Sequence, residues 1–521
     1  MHMSRISGMR GNLVPPAASL CAAALTLSFL AAPAAATPSV AIPPHPALPR
    51  AAAPPRVPGA THSLRLVPLG PGHRAAPGHG RVRGPQGLPA REVPPFSLVG
   101  IVWDDATTEL RGRAQVRTRP LGGRSWSEWR DVQTHDDDRP DLDSPESRAG
   151  TLRGSTAPLW VGASDAVQVR VNPEPAAGGR LAEGTALPSG MRVELVDPGH
   201  DPAPGRPRAG RGRSAPPPAP GPSDEEAASS AANFPLAPLG ATEIPAVGRP
   251  ESAKDVEATH VDGTNVAEGH PISDGHGAAD PEAEPTDRPQ QGAPDSGADN
   301  GDGSADVDDS DSDADFDAGR YVGPRPRIVT RAGWGADESI REKGFVYNKT
   351  VHAAFVHHTA SGNGYGCGQS PSVIRGIYRY HVVSSGWRDI GYNFLVDKCG
   401  TVYEGRAGGV AKPVRGAHTL GFNTNSMGIA VLGTFGRSDP SSAALTAVAT
   451  LSAWKLGLYG VNPAGTTTLV SGGGNLFKKG TSVRLRAISG HRDGFATECP
   501  GDQLYNRLGT ARSTASRLQG R

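Results

Sequence analysis

Cysteine is scarce: four occur in 521 residues, at positions 21, 367, 399 and 499, and none is close enough to another for a Cys-x-x-Cys pair. Aromatic residues make up only 5% of the chain and lie mostly after residue 320, whereas 68 glycines and 50 prolines fill close to a quarter of it. So little apolar surface cannot order every residue. The length therefore overstates the domain count, and the large core is expected in the C-terminal part. Charge of either sign is also not in excess: the formal net charge is +1, which gives no case for a nucleic-acid partner. Long hydrophobic runs are absent too. The longest, from Ala17 to Ala32, falls short of the ~20 apolar residues that span a bilayer.

What is present divides the chain. Residues 1–36 have the form of a secretory signal peptide: Arg5 and Arg10, the apolar run, then Ala34-Ala35-Ala36 as an A-x-A site. This implies a secreted protein, extracellular or associated with the cell wall, with no membrane partner after cleavage. Removal of Cys21 leaves three cysteines, an odd number that requires one thiol to do something other than pair. Residues 37–95, rich in Pro, Ala, Gly and Arg without periodicity, are expected to be disordered.

Between 96 and 199 the segments "FSLVGIVWD", "AQVRTRP", "WSEWRDVQ", "AVQVRVN" and "MRVELVDP" are short, β-branched or aromatic, and separated by turn residues. They predict a small antiparallel β-sandwich-like accessory module. Its tryptophans 103, 126, 129 and 160 are read as core before they are read as a sugar-stacking face. Residues 200–320 are expected to be linker. The stretch from Asp299 to Asp317 carries nine aspartates and no Lys or Arg, without the spacing of an EF-hand, and reads as a solvated spacer.

From 325 to 521 the pattern is mixed α/β. "TVHAAFVHHTA", "IGYNFLVDKCGTVYEG", "MGIAVLGTF" and "VRLRAISGH" read as strands. Ser370-Pro371 opens a helix as N-cap and first-turn proline, and Asp439-Pro440 precedes a second. A central sheet covered by helices follows. Zinc takes imidazole nitrogen and thiolate sulfur, and a hydrolytic zinc keeps three protein ligands and one open position. His491 and Cys499, eight residues apart, are too far for one helical face and must come from a strand end and the loop after it. A third ligand is expected from "FVHHTA". Successive strand side chains point to opposite faces, so only one of His357 and His358 can meet the metal.

"VHHTA", "GWRDIGYNFLVDKCGTVYEGRAGG", "GAHTLGFNTNSMGIAVLGTF" and "GHRDGFATECPGDQLY", in this order, resemble the peptidoglycan recognition protein and type 2 N-acetylmuramoyl-L-alanine amidase family, in its secreted actinobacterial form. The resemblance covers about 195 residues from Ile328 onward. It implies a zinc amidase that cleaves between the lactyl group of N-acetylmuramic acid and L-alanine of the stem peptide. Carried over, His357, His491 and Cys499 are zinc ligands, Tyr392 is the catalytic tyrosine, and Thr497 occupies a position held by lysine or threonine in the family. His381, Trp387, Arg406, His418 and Asn423 fall where the family lines its substrate groove; His381 also shares a helical face with Ile374 and Ile377 and reads equally as core. Cys367 and Cys399 are left as a disulfide pair, in keeping with an oxidising compartment. Ala407-Gly408 follows Arg406 where animal members often carry Gly-Trp, so no stem-peptide preference is implied. Glu404 and Glu498 are the carboxylates to consider as a conventional base, although the family gives neither that role. The alternatives are a non-catalytic peptidoglycan-binding protein and, more distantly, a zinc peptidase. A monomer acting on muramyl peptides is expected.

Overall fold

Alternating apolar residues build the N-terminal module. The computed structural model describes residues 58–69, 84–134, 138–174, 186–199, 221–261 and 319–521. The expected signal peptide, the basic proline-rich stretch 200–220 and the acidic stretch 299–317 lie outside them. Among the described residues no helix is long and apolar enough to cross a membrane.

Strands β1 (Ala60–Arg65), β2 (Val67–Pro68), β3 (Gln86–Trp103), β4 (Gly112–Pro120), β5 (Arg130–Val132), β6 (Gly154–Ser155), β7 (Leu159–Pro173) and β8 (Arg192–Asp197) form one antiparallel sheet ordered β1-β8-β3-β7-β4-β5. A single turn of helix, α1 (Pro145–Arg148), lies in the connection between β5 and β6. Along β3, Val99, Ile101 and Trp103 enter the module's own core, while Leu98 and Val102 face the other way. Trp103 and Trp160 are buried, as the core reading requires. Trp126 and Trp129 are half-buried instead and hold the Arg117 guanidinium 5.4 and 5.1 Å from their ring centres. The strands start at Ala60, well before the expected boundary at Phe96. Prolines 89, 94 and 95 hid the first half of β3, which passes through register shifts around them.

The expected linker also contains structure. Helix α2 (Asp224–Ala231), strand β9 (Glu243–Ile244) and helix α3 (Arg249–Ser252) fall within it. The Asp255 carboxylate accepts from Arg325 at 2.7 Å and from the Trp454 indole at 2.9 Å, fixing this segment to the C-terminal domain. A two-residue strand and isolated apolar anchors such as Ile244 and Ala258 leave no periodicity to read.

In the C-terminal domain, β10 (Ile328–Val329) and helix α4 (Arg331–Trp334) precede β11 (Ala353–His358), helix α5 (Ser370–Arg379), β12 (Phe394–Val396), β13 (Val402–Glu404) and β14 (Ser426–Val431). Helix α6 (Ser442–Gly457), the hairpin β15 (Thr466–Val470) and β16 (Ser482–Arg486), β17 (Ile488–Gly490), α7 (Asp502–Tyr505) and α8 (Leu508–Gln519) complete it. The mixed sheet runs β17-β11-β14-β12-β13-β10-β9, with β11 parallel to both neighbours. Val356, Ile429 and Val431 pack with Val448, Leu451 and Trp454 of α6 on one face, while Leu395, Ala430 and Tyr403 pack with α5 on the other.

Ser441 caps α6, its hydroxyl accepting from Ala444 N–H at 3.1 Å. Ser370, expected as a cap, is instead the first residue of α5; its hydroxyl donates to Asp397 at 2.8 Å and a 3₁₀ turn, Cys367–Gln369, leads in. Cys367 and Cys399 form a disulfide, with Cα atoms 6.3 Å apart.

The two domains share a core. Leu98, Val102, Trp160 and Val196 of the module pack with Val373, Ile374, Ile377 and Tyr380 around α5. Tyr380 donates toward the Ile101 and Thr156 carbonyls at 3.2 and 3.1 Å. A Cβ at Gly100 would overlap the Tyr380 ring, so this glycine is what lets the ring lie on the strand.

Candidate metal centre and substrate groove

Three side chains meet at the C-terminal ends of β11 and β17. Strand alternation sends His357 to the face of Phe355 and turns His358 to the opposite face, where its Nδ1 accepts from Phe435 N–H at 3.3 Å. His491 follows β17 directly, at the start of a 3₁₀ turn. Cys499 is brought back by the loop before α7. One ligand atom from each of His357, His491 and Cys499 lies within 4.8 Å of the others, and all three residues are buried.

The donor set fits zinc. Zn–N and Zn–S bonds of about 2.1 and 2.3 Å give a tetrahedron whose N···S edge is roughly 3.6 Å, and Cys499 Sγ lies 3.8 Å from His357 Nδ1. The Nε2 of His491 is buried without a hydrogen-bond partner, a costly state for a polar group that has no further role. The outward nitrogen of His357, Nε2, lies 3.3 Å from His418 Nδ1 and 3.4 Å from Thr419 Oγ1, contacts that orient the ring and leave Nδ1 to the centre. Burial pushes His418 well below its usual pKa, keeping it neutral there. The His358 N–H donates to Cys499 Sγ at 3.4 Å, which favours a thiolate.

Tyr392 lies beside this cluster, its ring 5.6 Å from that of His357. The loop carrying it is held by a buried ion network: Arg331 binds Glu338 at 2.7 Å and Asp389 at 3.1 Å, and Asp389 accepts from Ile390 and Ala407 N–H. His381 is buried, stacked on Trp387 at 4.2 Å, and its Nδ1 accepts from Gly391 N–H at 3.2 Å. Burial pushes its pKa down to about 3, so it acts as a neutral prop under the Tyr392 loop. Asn423 Oδ1 takes the His418 and Thr419 N–H groups, fixing the turn that carries His418. Thr497 Oγ1 accepts from Cys499 N–H at 3.2 Å. Glu498 is exposed, and Glu404 is buried against Asn233 and the Arg331 N–H, committed to structure.

Residues 347–502 match the N-acetylmuramoyl-L-alanine amidase family model, and residues 51–201 match one described as "Rv3811 N-terminal galactose-binding domain-like". The chain is 32% identical over 186 residues to peptidoglycan-recognition protein SC2 of Drosophila melanogaster, covering 35% of this chain and 85% of that protein. The chain belongs to the peptidoglycan-recognition protein family. It is also 32% identical over 187 residues to the human N-acetylmuramoyl-L-alanine amidase, spanning 36% of this chain and 28% of that longer protein. A solved peptidoglycan recognition protein-LE, in complex with tracheal cytotoxin, aligns at 28% identity and a TM-score of 0.29, over 35% of this chain and 92% of that one.

The groove of this recognition-protein domain also holds residues that the sequence did not single out, all from the β5–β6 connection of the module. Asp138 Oδ1 lies 2.9 Å from His357 Nδ1 and 3.2 Å from His491 Nδ1, and its Oδ2 accepts from the Tyr392 hydroxyl at 2.6 Å. Burial alone would raise this carboxyl, but the facing imidazoles outweigh it and hold it well below the usual range. Asp141 accepts from Asn423 Nδ2, from Gly421 N–H and from Arg415, at 2.9, 2.7 and 2.9 Å. Glu146 takes both terminal nitrogens of Arg406, at 3.1 and 3.2 Å. In sequence these acids belong to "HDDDRPDLDSPE", which looks like a solvated turn. The only available signal was a dense acidic run inside a module otherwise made of short strands.

Proposed function

We propose that the C-terminal domain is a zinc-dependent N-acetylmuramoyl-L-alanine amidase that hydrolyses the amide between the lactyl group of N-acetylmuramic acid and L-alanine of peptidoglycan. The observation that carries this reading is the buried His357, His491 and Cys499 triad with the Tyr392 hydroxyl beside it. Family membership supports action on peptidoglycan, as an amidase or as a binder. The pairing of the triad with the tyrosine favours hydrolysis over recognition alone.

His357 Nδ1, His491 and Cys499 would hold the ion. When bound, zinc supplies a Lewis acid that makes water a competent nucleophile near neutral pH. The remaining work belongs to the protein. His418 and Thr419 keep the His357 ring turned so that Nδ1 faces the centre. Tyr392 places an O–H donor where negative charge develops on the amide oxygen during attack. Arg331 and Asp389 hold the loop that carries this donor. Arg406 and Arg415 line the groove beyond the tyrosine and suit carboxylates of a stem peptide.

The domain layout belongs to the same proposal: a signal peptide, an accessory module reaching residue 199, a connecting segment and an amidase domain from 325. So do secretion, action as a monomer on wall material, and the lack of a nucleic-acid or membrane partner. The deciding experiment incubates the zinc-loaded protein with peptidoglycan and analyses the fragments by mass spectrometry. Free stem peptides beginning with L-alanine are expected. Cleavage only within the stem would make it a peptidase, and binding without cleavage would make it a recognition protein.

A further inference from the structure

We infer that residues 138–146 of the accessory module are a built-in inhibitory segment: Asp138 takes the fourth position of the metal centre while Asp141 and Glu146 fill the groove. The inference rests on the reading of this groove as a metal-dependent peptidoglycan site. Asp138 Oδ1 stands at 2.9 and 3.2 Å from Nδ1 of His357 and of His491, and its side chain is only 8% exposed. This sets a carboxylate oxygen, an ordinary zinc donor, against both histidine ligands, where it can complete the fourth position. A hydrolytic site needs that position open. Asp138 Oδ2 also occupies the Tyr392 hydroxyl, the donor assigned to the substrate oxygen.

The rest of the segment continues the blockade along the groove. Glu146 makes a paired contact with the Arg406 guanidinium, and Asp141 is shared between Arg415, Asn423 and a backbone N–H. The ion pairs involved are at most 15% exposed on either side chain, so solvent screens them little. The space left among Pro140, Glu146, Arg388, Arg406 and Arg415 is about 20 Å³, enough for about one water. Three carboxylates of the chain thus sit on the groups that would receive the carbonyl oxygen and the carboxylates of a stem peptide. Such a segment is a substrate-like occupant, and substrate must displace it. Its apparent affinity is then lowered by the fraction of molecules in which the segment is out.

Nothing in the arrangement is covalent, and the docking of the module on α5 keeps the segment at high local concentration. Activity would therefore be gated by whatever separates residues 138–146 from the groove.

The test uses the full chain loaded with Co²⁺ in place of zinc, as wild type, Asp138→Asn and Asp141→Asn/Glu146→Gln. Two quantities are read: the visible cobalt spectrum, whose thiolate band reports Cys499 and whose d–d bands report the remaining ligands, and the affinity for a soluble muramyl pentapeptide. Asp138→Asn should keep the thiolate band and change the d–d bands. Both variants should bind the muramyl peptide at least about fivefold more tightly than wild type, the lower end of a typical coupling between sites. Unchanged d–d bands together with equal affinities in all three proteins would overturn the inference and leave the amidase reading untouched. Altered d–d bands with no muramyl peptide binding in any protein would uphold Asp138 as a ligand and instead remove the peptidoglycan reading.

Discussion

Cys499 shows how one residue carries meaning only through its surroundings. A buried thiol is by default a small hydrophobe, yet here its sulfur faces His357 Nδ1 at 3.8 Å and receives the His358 N–H. Cys499→Ser should retain the fold and lose most bound zinc, as measured by metal analysis of the purified protein; full zinc and full turnover would end its role as a ligand. His357→Ala should lose the metal as well, whereas His358→Ala should keep it, because strand alternation turns His358 to the other face. Tyr392→Phe removes one hydroxyl and leaves the ring. Zinc content should persist and kcat should fall on the order of 10²–10³-fold, the usual effect of losing one oxyanion donor. The measurement needs saturating substrate, since the same change also loosens Asp138.

The metal-binding residue types and their strand-and-loop origin were legible from His-x7-Cys and "FVHHTA". The choice between the two histidines came from family likeness, and the strand register places them on opposite faces. Asp138, Asp141 and Glu146 were not legible. A carboxylate in a turn looks the same whether it meets water or a groove more than 200 residues away in the chain.

At the scale of elements, long periodic segments could be read and short anchored ones could not. Helices α5 and α6 and strands β11 and β14 were visible in apolar spacing; β9 and the first half of β3 were not. The disulfide is the clearest element-level staple. It closes a separation of 32 residues that contains α5. The chain-entropy account gives about 3–4 kcal/mol for a loop of that size, so Cys367→Ala/Cys399→Ala should lower unfolding stability by about that amount in urea titrations.

Glu404, at the end of β13, gives a pH signature. Burial pushes its carboxyl from an ordinary 4.5 up to about 7. The folded state therefore binds this proton more tightly than the unfolded state. Its contribution is fully present below pH 4.5 and is lost as pH rises through 7, by about 3 kcal/mol in total. Urea titrations between pH 4 and 8 should show that decline in wild type and a shallower one in Glu404→Gln. Equal slopes would mean that the carboxyl is solvated or paired more strongly than its partners Asn233 and Arg331 suggest.

For the whole molecule, the question is whether module and amidase domain behave as one body. The shared core around α5 predicts a single cooperative melting transition, not two. Gly100 is the sharpest handle on that interface, because an added methyl group overlaps the Tyr380 ring and neither strand β3 nor the ring can yield without losing packing. Gly100→Ala should therefore cost about 1–3 kcal/mol and lower the melting temperature. If docking is also what keeps residues 138–146 in the groove, the same variant should bind the muramyl pentapeptide more tightly, in the direction expected for Asp138→Asn, though Gly100 lies 38 residues before Asp138 in the chain. A lowered melting temperature with unchanged affinity would show that the segment is held by its own contacts to His357, Arg406 and Arg415. In that case the gate would be local, opened by competition for those three residues and not by movement of the module as a whole.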